Sequence, residues 1–523
     1  MTPPPKVVWS VASSDSGGGA GLQADLRAID AFGVHPCTVV AAVTAQNSTN
    51  VQRIDVVGTH LLEAQLTALV SDMPPDAIKT GMLGNAENLL MVVQWLDRLR
   101  QDHPTLPVVV DPVLRASTGA ILADPALLDG YRTALLPRAT LITPNRSEAA
   151  ALLGWTPLLS RQDVEKAASA LLTLGCKAVV ITGGDEASNH SEDYALTPHA
   201  SGWLSLTRVT TTHNHGTGCV YASSAAAAMA LGFVEIEAII LAKMATTNAL
   251  RHGHAAGRGA GPVLPRARFA LAHENLPKLN ITDQGEIGAF AALRNPDLGL
   301  YAVVDSAAWV QRVLDAGVRT VQLRIKDAKY SRLRGEVRSS IAAARAVNAQ
   351  LFINDHWALA IEEGAYGVHL GQEDLALADL NAIARAGLRL GLSTHSYWEV
   401  CRAWGLRPSY IACGPIHPTQ SKCMPWVAQG NANLSFWCAL LPLPIVAIAG
   451  MNCSRAAQAI QCGAAGVAVI SAITGAPSPE AVIAHLTTEL QAARGMPRQA
   501  PPTLPNSTLR MTIREKFHVE YAS

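Results

Sequence analysis

The sequence predicts an α/β protein in two unlike halves: first a mostly parallel sheet covered by helices on both faces, then a (β/α)8 barrel. Three observations predict this. Short β-branched runs alternate with segments of helical spacing along most of the chain, the pattern of parallel sheets with helical crossovers. Hydrophobic residues make up 49% and charged residues only 16%, as expected where strands are buried on both faces. The second half carries eight such runs, and nearly every one ends in a glycine or a polar residue.

A chain of 523 residues is long for one core and fits two or three domains. Lys and Arg together number 41, as do Asp and Glu, so the formal charge is zero. That balance argues against a binder of nucleic acid or of a membrane surface, and any phosphate site must be local. The nine cysteines are scattered without Cys-x-x-Cys spacing. They read as reduced thiols in a cytoplasmic protein, and zinc is not expected. Met1-Thr2-Pro3-Pro4-Pro5-Lys6 leads into a strand with no charged-then-apolar signal pattern. The longest apolar runs, such as 220–231, are too short and too rich in small residues to span a bilayer.

In the first half, strands are expected at 7–11, 38–43, 77–79, 108–110, 140–142 and 178–181. After the first glycine loop, Leu22, Leu26 and Ile29 form an i, i+4, i+7 helical stripe. Residues 251–261 read as a loop, and residues 275–295, without strong periodicity, hold the expected boundary. Barrel strands are expected at 301–304, 320–323, 351–353, 367–370, 388–392, 410–413, 445–448 and 466–470. The expected division is a first domain over 1–280, a linker over 281–297, a barrel over 298–496 and a loosely held tail over 497–523.

The sharpest motif of the first half is Gly216-Thr217-Gly218-Cys219, which follows His213-Asn214-His215 and opens an alanine-rich helical stretch. Small residues at a helix N-terminus let backbone N–H groups surround an anion. Phosphoryl transfer is catalysed mainly by such positioning and charge neutralisation. A cysteine at the first helical position is expected to have a depressed pKa and to act as base on an alcohol; the alternative is a small residue that merely fits. The loop from Ser14 to Gly21 closes the first strand, and Asp25 beyond it is either a ligand or a first-turn acid favouring the helix dipole. Gln46 offers an amide to a flat heterocycle, Met82 and Asp111 stand at further strand ends, and Thr182-Gly183-Gly184 suits a triphosphate. Glu148 either caps its helix or orders the waters around Mg²⁺.

In the second half, Gln322, Arg324 and Lys326 alternate along one strand and share a face, which suits a bound pyrophosphate. Asp355 and Asp374 follow adjacent strand ends, as loop caps or as two carboxylates sharing one Mg²⁺. Ser393 ends the fifth strand, and a long loop after the sixth carries Thr419, Ser421 and Lys422.

The segments SDSGGGAGLQADL, TAQN, KTGML, VVVDPV, TPNRSEA and HGTGC, in that order from Val7 to about Pro265, resemble the hydroxymethylpyrimidine/phosphomethylpyrimidine kinase family. The resemblance implies a ribokinase-like α/β sandwich in which Asp25, Gln46 and Met82 hold the pyrimidine. It implies Glu148 for Mg²⁺, Gly216, Thr217, Gly218 and Lys243 for ATP, and Cys219 for catalysis. Two departures are Ser13, where glycine is usual, and His213-Asn214-His215 in place of the commoner Asn-Thr-His. From Tyr301 to about Ile473, the segments VQLRIK, FINDH, GVHLGQEDL, STHS, GPIHPTQSK, AIAGM and VAVISAI resemble thiamine phosphate synthase, a TIM barrel. That resemblance implies Gln322, Arg324, Lys326, Asn354 and Lys422 at the pyrophosphate, and Asp355 and Asp374 at Mg²⁺. Lys326 and Ser393 would serve the chemistry, with Thr419 and Ser421 in the loop above it. Gly450, Ile470 and Ser471 would hold the thiazole phosphate, although Ala449-Gly450 replaces the usual Gly-Gly.

Together the two resemblances imply a bifunctional thiamine-biosynthesis enzyme. It would phosphorylate hydroxymethylpyrimidine twice with MgATP and then condense the pyrophosphate with thiazole phosphate. Small-molecule partners and a homo-oligomer are expected. Two alternatives stand beside this: a pyridoxal or pyridoxine kinase in the first half, or one half retained as a regulatory ligand-binding domain.

Overall fold

A computed structural model describes residues 4–114, 124–184, 188–279, 287–327, 329, 331–418 and 426–510. The chain divides into two compact units, Met1–Asn280 and Ile281–Ser523.

Among the described residues, the first unit is built on a ten-stranded sheet. Its strands are β1 (Val7–Asp15), β2 (His35–Gln46), β3 (Val51–Val56), β4 (Ala77–Thr80), β5 (Val108–Val110), β6 (Leu141–Ile142), β7 (Val179–Ile181), β8 (His190–Leu196), β9 (Ser201–Thr207) and β10 (Lys278–Leu279). The spatial order is β10-β9-β8-β7-β6-β5-β4-β1-β2-β3. The six strands from β2 to β7 in that order pair in parallel. Antiparallel strands complete both edges. The sequence predicts the six parallel strands and misses the four antiparallel ones.

The helix Thr217–Ala230 is buried at every residue from Val220 to Ala230. Apart from Val220, Tyr221 and Met229 its buried residues are all alanine or serine, and a helix without a charged face belongs inside a protein. Ala24 and Ala28 of the helix Gly21–Asp30 pack against its Val220. The two helices that carry the glycine loops are therefore held together by small side chains.

The second unit is a closed barrel of eight parallel strands, as the sequence predicts. They are β11 (Gly299–Val304), β12 (Thr320–Leu323), β13 (Gln350–Asn354), β14 (Gly367–Leu370), β15 (Arg389–Thr394), β16 (Tyr410–Cys413), β17 (Ile445–Ile448) and β18 (Gly466–Val469). Closure comes from β11 pairing with β18, Gly299 opposite Gly466. Tyr301, Phe352 and Tyr410 fill the interior, with the rings of Phe352 and Tyr410 4.9 Å apart. A Cβ on Gly391 would overlap the Tyr410 ring, so that position must be glycine for the tyrosine to lie inside.

Two expectations are corrected. β12 ends at Leu323, so Arg324 and Lys326 rise beyond the strand rather than continuing its alternation. Arg324 N still donates to Val304 O at 2.7 Å, which keeps the start of that loop on the barrel rim. The tail is also not loose as far as it is described. Gln499 N donates to Gln461 O, Asn506 and Asn433 exchange two hydrogen bonds, and Val427 N donates to Thr508 O. Buried amides need partners, and the Asn433 side chain, fully buried, finds its partners among the described residues in the tail.

The end of the expected linker is likewise part of the barrel. Ala291 O accepts from Ser409 Oγ, Ala292 O from Arg389 Nε, and Tyr366 Oη from Arg294 N. These partners stand where β14, β15 and β16 begin, so the segment lies across the base of the barrel, opposite the rim. No helix among the described residues is long and apolar enough to cross a membrane.

Candidate active sites

In the first unit, β1 has β2 on one side and β4 on the other, so the chain leaves it in opposite directions. Open parallel sheets bind ligands beyond the strand ends at such a switch point. The glycine loop follows β1, with Gln46 at the end of β2 and Met82 just past β4. Asp15 organises the loop: its carboxylate accepts from the N–H groups of Gly17, Gly19 and Ala20 at 2.8, 3.0 and 2.9 Å. His215 Nε2 lies 3.3 Å from the same carboxylate and 3.4 Å from Gln46 Nε2. Burial alone would raise the Asp15 pKa; His215 and the three N–H groups outweigh it and hold the carboxyl below its ordinary value.

The two glycine loops touch through their backbones. Gly216 has φ 86°, and a Cβ there would overlap the carbonyl oxygen of Gly19. A Cβ on Gly19 would in turn overlap the His215 ring. Gly216 caps the helix Thr217–Ala230, so the N–H groups of Thr217, Gly218 and Cys219 form its first turn and can surround an anion.

Cys219 is thus the third helical residue, not the first, and its expected low pKa is corrected. Although the residue is only half-buried, burial of its sulfur pushes the thiol up to about 12. Lys79 pulls it down, but Asp25 and Asp111 oppose that. The thiol is neutral near pH 7.

The expected role of Asp25 is also corrected. Its carboxylate is fully buried, 2.9 and 3.0 Å from Lys79 Nζ, and accepts from Ser10 Oγ at 2.6 Å and Ser223 Oγ at 2.7 Å. It ties β1, β4 and two helices together instead of facing a ligand. Lys79 is held charged despite its burial, because the Asp25 and Asp111 carboxylates outweigh desolvation. Asp111 is pushed up to about 6 by burial, partly offset by Lys79.

Lys243, expected at the ATP phosphates, is buried in an ion pair with Asp193 of β8, Nζ to Oδ2 2.9 Å. Asp193 Oδ1 also accepts from Gly183 N at 3.2 Å. The lysine therefore acts on the Thr182-Gly183 turn through Asp193. Glu148 forms a reciprocal capping box with Asn145, both bonds 2.9 Å, which engages Oε2. Asp111 Oδ2, at a strand end beside the rim, is buried without a hydrogen-bond partner and lies 3.8 Å from Lys79 Nζ, a carboxylate oxygen of the kind Mg²⁺ takes.

In the barrel, the rim brings Arg324, Asp355 and Asp374 together. Burial and the neighbouring Asp374 carboxylate push Asp355 up to about 6, against the pull of Arg324 and His356. Asp355 has φ 63°, strained for a residue with a side chain, and Asn354 Nδ2 donates to its carboxylate. His356 Nε2 lies 2.7 Å from Ile325 O, so the Asp355 turn also fastens the segment between Arg324 and Lys326. Two carboxylates that repel one another beside exposed cations fit a shared Mg²⁺.

Below the rim, Gln322 is buried and donates to Tyr301 Oη at 3.4 Å. Ser393 Oγ lies 2.9 Å from His369 Nε2, a histidine the sequence reading did not single out. Burial lowers the His369 pKa to about 3, so the ring is neutral. Ala449 and Gly450 both have positive φ, 77° and 68°, which explains why glycine suits either position and why Ala449 is strained. A Cβ on Gly450 would come within 2.7 Å of His417 Cβ. Ile470 is exposed, and Ser471 opens the short helix Ser471–Thr474. Thr419, Ser421 and Lys422 lie outside the described residues.

A glycine-loop anion site on an open sheet and a cation-carboxylate rim on a barrel define two transferases of phosphorylated small molecules in one chain. Residues 15–264 match the phosphomethylpyrimidine kinase family and residues 300–473 the thiamine monophosphate synthase family. The probable thiamine biosynthetic bifunctional enzyme, chloroplastic, of Oryza sativa is 34% identical over 90% of this chain and 86% of its own length. The corresponding chloroplastic enzyme of Arabidopsis thaliana is 33% identical over 89% of each chain. The thiamine-phosphate synthase of Serratia proteamaculans is 54% identical over 36% of this chain and 90% of its own. The chain belongs to the bifunctional thiamine-biosynthetic enzymes, with phosphomethylpyrimidine kinase and thiamine-phosphate synthase activities. Its kinase unit uses ATP.

Proposed function

We propose that the first unit phosphorylates 4-amino-5-hydroxymethyl-2-methylpyrimidine and then its phosphate, and that the barrel joins the pyrophosphate to 4-methyl-5-(2-phosphoethyl)thiazole. The N–H groups of Thr217, Gly218 and Cys219 neutralise the transferring phosphoryl group, in contact with the loop that Asp15 shapes. Gln46 and Met82 flank the acceptor pyrimidine. Mg²⁺, placed by Asp111 and Glu148, would supply charge neutralisation at the ATP phosphates.

In the barrel, the bond between the pyrimidine methylene carbon and the pyrophosphate oxygen breaks with both electrons leaving on oxygen. Arg324 and Lys326 neutralise that charge, with Lys422 assigned to the same group by family likeness. Mg²⁺ held by Asp355 and Asp374 would add to this neutralisation. The aminopyrimidine spreads the positive charge left on carbon, and the thiazole nitrogen lone pair forms the new C–N bond. One observation carries the reading: cations and paired carboxylates stand on one barrel rim, where a pyrophosphate leaves as an anion. The eight described cysteines are all free, which supports a reducing, cytoplasmic compartment.

The test is to incubate the protein with hydroxymethylpyrimidine, thiazole phosphate and MgATP. Thiamine phosphate is expected, and omission of ATP should abolish it unless pyrimidine pyrophosphate is supplied. Phosphorylation of pyridoxal without phosphorylation of the pyrimidine would overturn the assignment of the first unit.

A further inference from the structure

A chain of buried hydrogen bonds crosses the barrel interior and joins two residues of the site. Gln322 Nε2 donates to Tyr301 Oη at 3.4 Å, Tyr301 and Tyr410 hydroxyls are 2.7 Å apart, and Tyr410 Oη is 2.8 Å from His369 Nδ1. His369 Nε2 completes it at 2.9 Å from Ser393 Oγ. Tyr301 and Tyr410 are inaccessible to solvent, so no water can reset the direction of their hydroxyls. Each hydroxyl has one proton to give, and a neutral imidazole has one donor and one acceptor nitrogen. The orientation of one member therefore sets all the others.

We propose that this relay fixes the hydrogen-bonding polarity of the barrel pocket and so selects a 4-aminopyrimidine over its 4-oxo counterpart. The inference rests on the synthase reading above. With Gln322 donating inward, Tyr301 donates to Tyr410, Tyr410 to His369 Nδ1, and His369 Nε2–H to Ser393. That leaves the amide oxygen of Gln322 as an acceptor for the ligand and the Ser393 hydroxyl as a donor to it. A 4-aminopyrimidine offers the matching pair, an amino N–H and a ring nitrogen lone pair. The 4-oxo form offers an acceptor at C4 and an N–H at the adjacent ring position, which sets acceptor against acceptor and donor against donor. Tyr301, Tyr410 and His369 are positioning residues in this scheme; Gln322 and Ser393 meet the ligand, Gln322 at the pyrimidine rather than at the pyrophosphate expected of it. Reversal of the relay requires every member to turn together, and a buried chain resists that because partly paired states leave polar groups unsatisfied.

The test uses the full chain and reads thiamine phosphate formation, which isolates the barrel site from the kinase site. KM for the 4-amino pyrophosphate is compared with the inhibition constant of the 4-oxo pyrophosphate, in wild type and in Tyr410→Phe and Tyr301→Phe. Phenylalanine keeps each ring in the core and removes only the relay hydroxyl. The wild type is expected to separate the two ligands by on the order of 100-fold or more. Each variant should narrow that ratio by about tenfold, because Gln322 is then free to turn its amide. An unchanged ratio, whether or not turnover falls, would overturn the proposal, since a purely structural tyrosine affects both ligands alike. A wild-type protein that forms no thiamine phosphate from supplied pyrimidine pyrophosphate would overturn the synthase reading and this inference with it.

Discussion

Lys243 Nζ lies 2.9 Å from Asp193 Oδ2, each side chain only 4% exposed, and Asp193 in turn accepts the N–H of Gly183. The pair joins the helix Glu235–Arg251 to an antiparallel strand and holds the Thr182-Gly183 turn. Removing one partner of a buried pair leaves the other charge uncompensated. Lys243→Met is expected to cost about 3–5 kcal/mol in the stability of the first unit. Urea unfolding checks this, and condensation from supplied pyrimidine pyrophosphate should be unaffected. A Lys243→Met, Asp193→Leu double variant should recover part of the loss.

Asp15→Asn removes the charge to which three loop N–H groups and His215 point. The folded pKa of Asp15 lies below its unfolded value of 3.8, so the stabilisation is fully present above that pH and is lost as pH falls through the folded value. At pH 7 the variant is expected to lose about 1–3 kcal/mol and most kinase activity. The stability gap between variant and wild type should close in strong acid, as chemical denaturation across the pH range would record.

Cys219 is expected to resist alkylation. With its thiol pushed up to about 12, the thiolate fraction at pH 7.5 is at least about 100-fold below that of an unperturbed cysteine. Mass spectrometry after brief iodoacetamide treatment would locate the modified cysteines. Cys219→Ala should then slow both phosphorylation steps by similar factors. A selective loss of the alcohol step would restore the thiol to the role of base.

The barrel needs the residues that lie across its base. A fragment spanning 287–510 is expected to fold and to make thiamine phosphate from pyrimidine pyrophosphate. One beginning at 298 loses the hydrogen bonds between residues 291–294 and Ser409, Arg389 and Tyr366 and should be less stable by about 2–4 kcal/mol. Equal urea midpoints for the two fragments would refute this.

What was legible in the sequence follows from burial. The eight barrel strands and most of the six parallel sheet strands are buried on both faces and read as apolar runs, while β2, next to the antiparallel edge, is buried mainly on one face and is legible from its β-branched residues. β3 and β8 alternate or carry polar residues because they are antiparallel and half-solvated, and they pass for loops. β8 hides Asp193, which is why Lys243 reads as a phosphate ligand when its partner is unseen. His369 left a signal: a histidine between Val368 and Leu370 in a buried strand must find buried partners. The pKa of Cys219 left none, since Asp25 and Asp111 lie about 100 or more residues away along the chain.

Closure of the barrel through Gly299 and Gly466 also orders events during synthesis. The first unit is complete when β10 emerges, before any barrel strand exists. β11 then waits for β18, about 167 residues later, which at ribosomal rates is on the order of 10–30 s. Throughout that interval the growing barrel has two open edges, so a nascent chain carries a finished kinase beside a sheet still exposed to wrong partners.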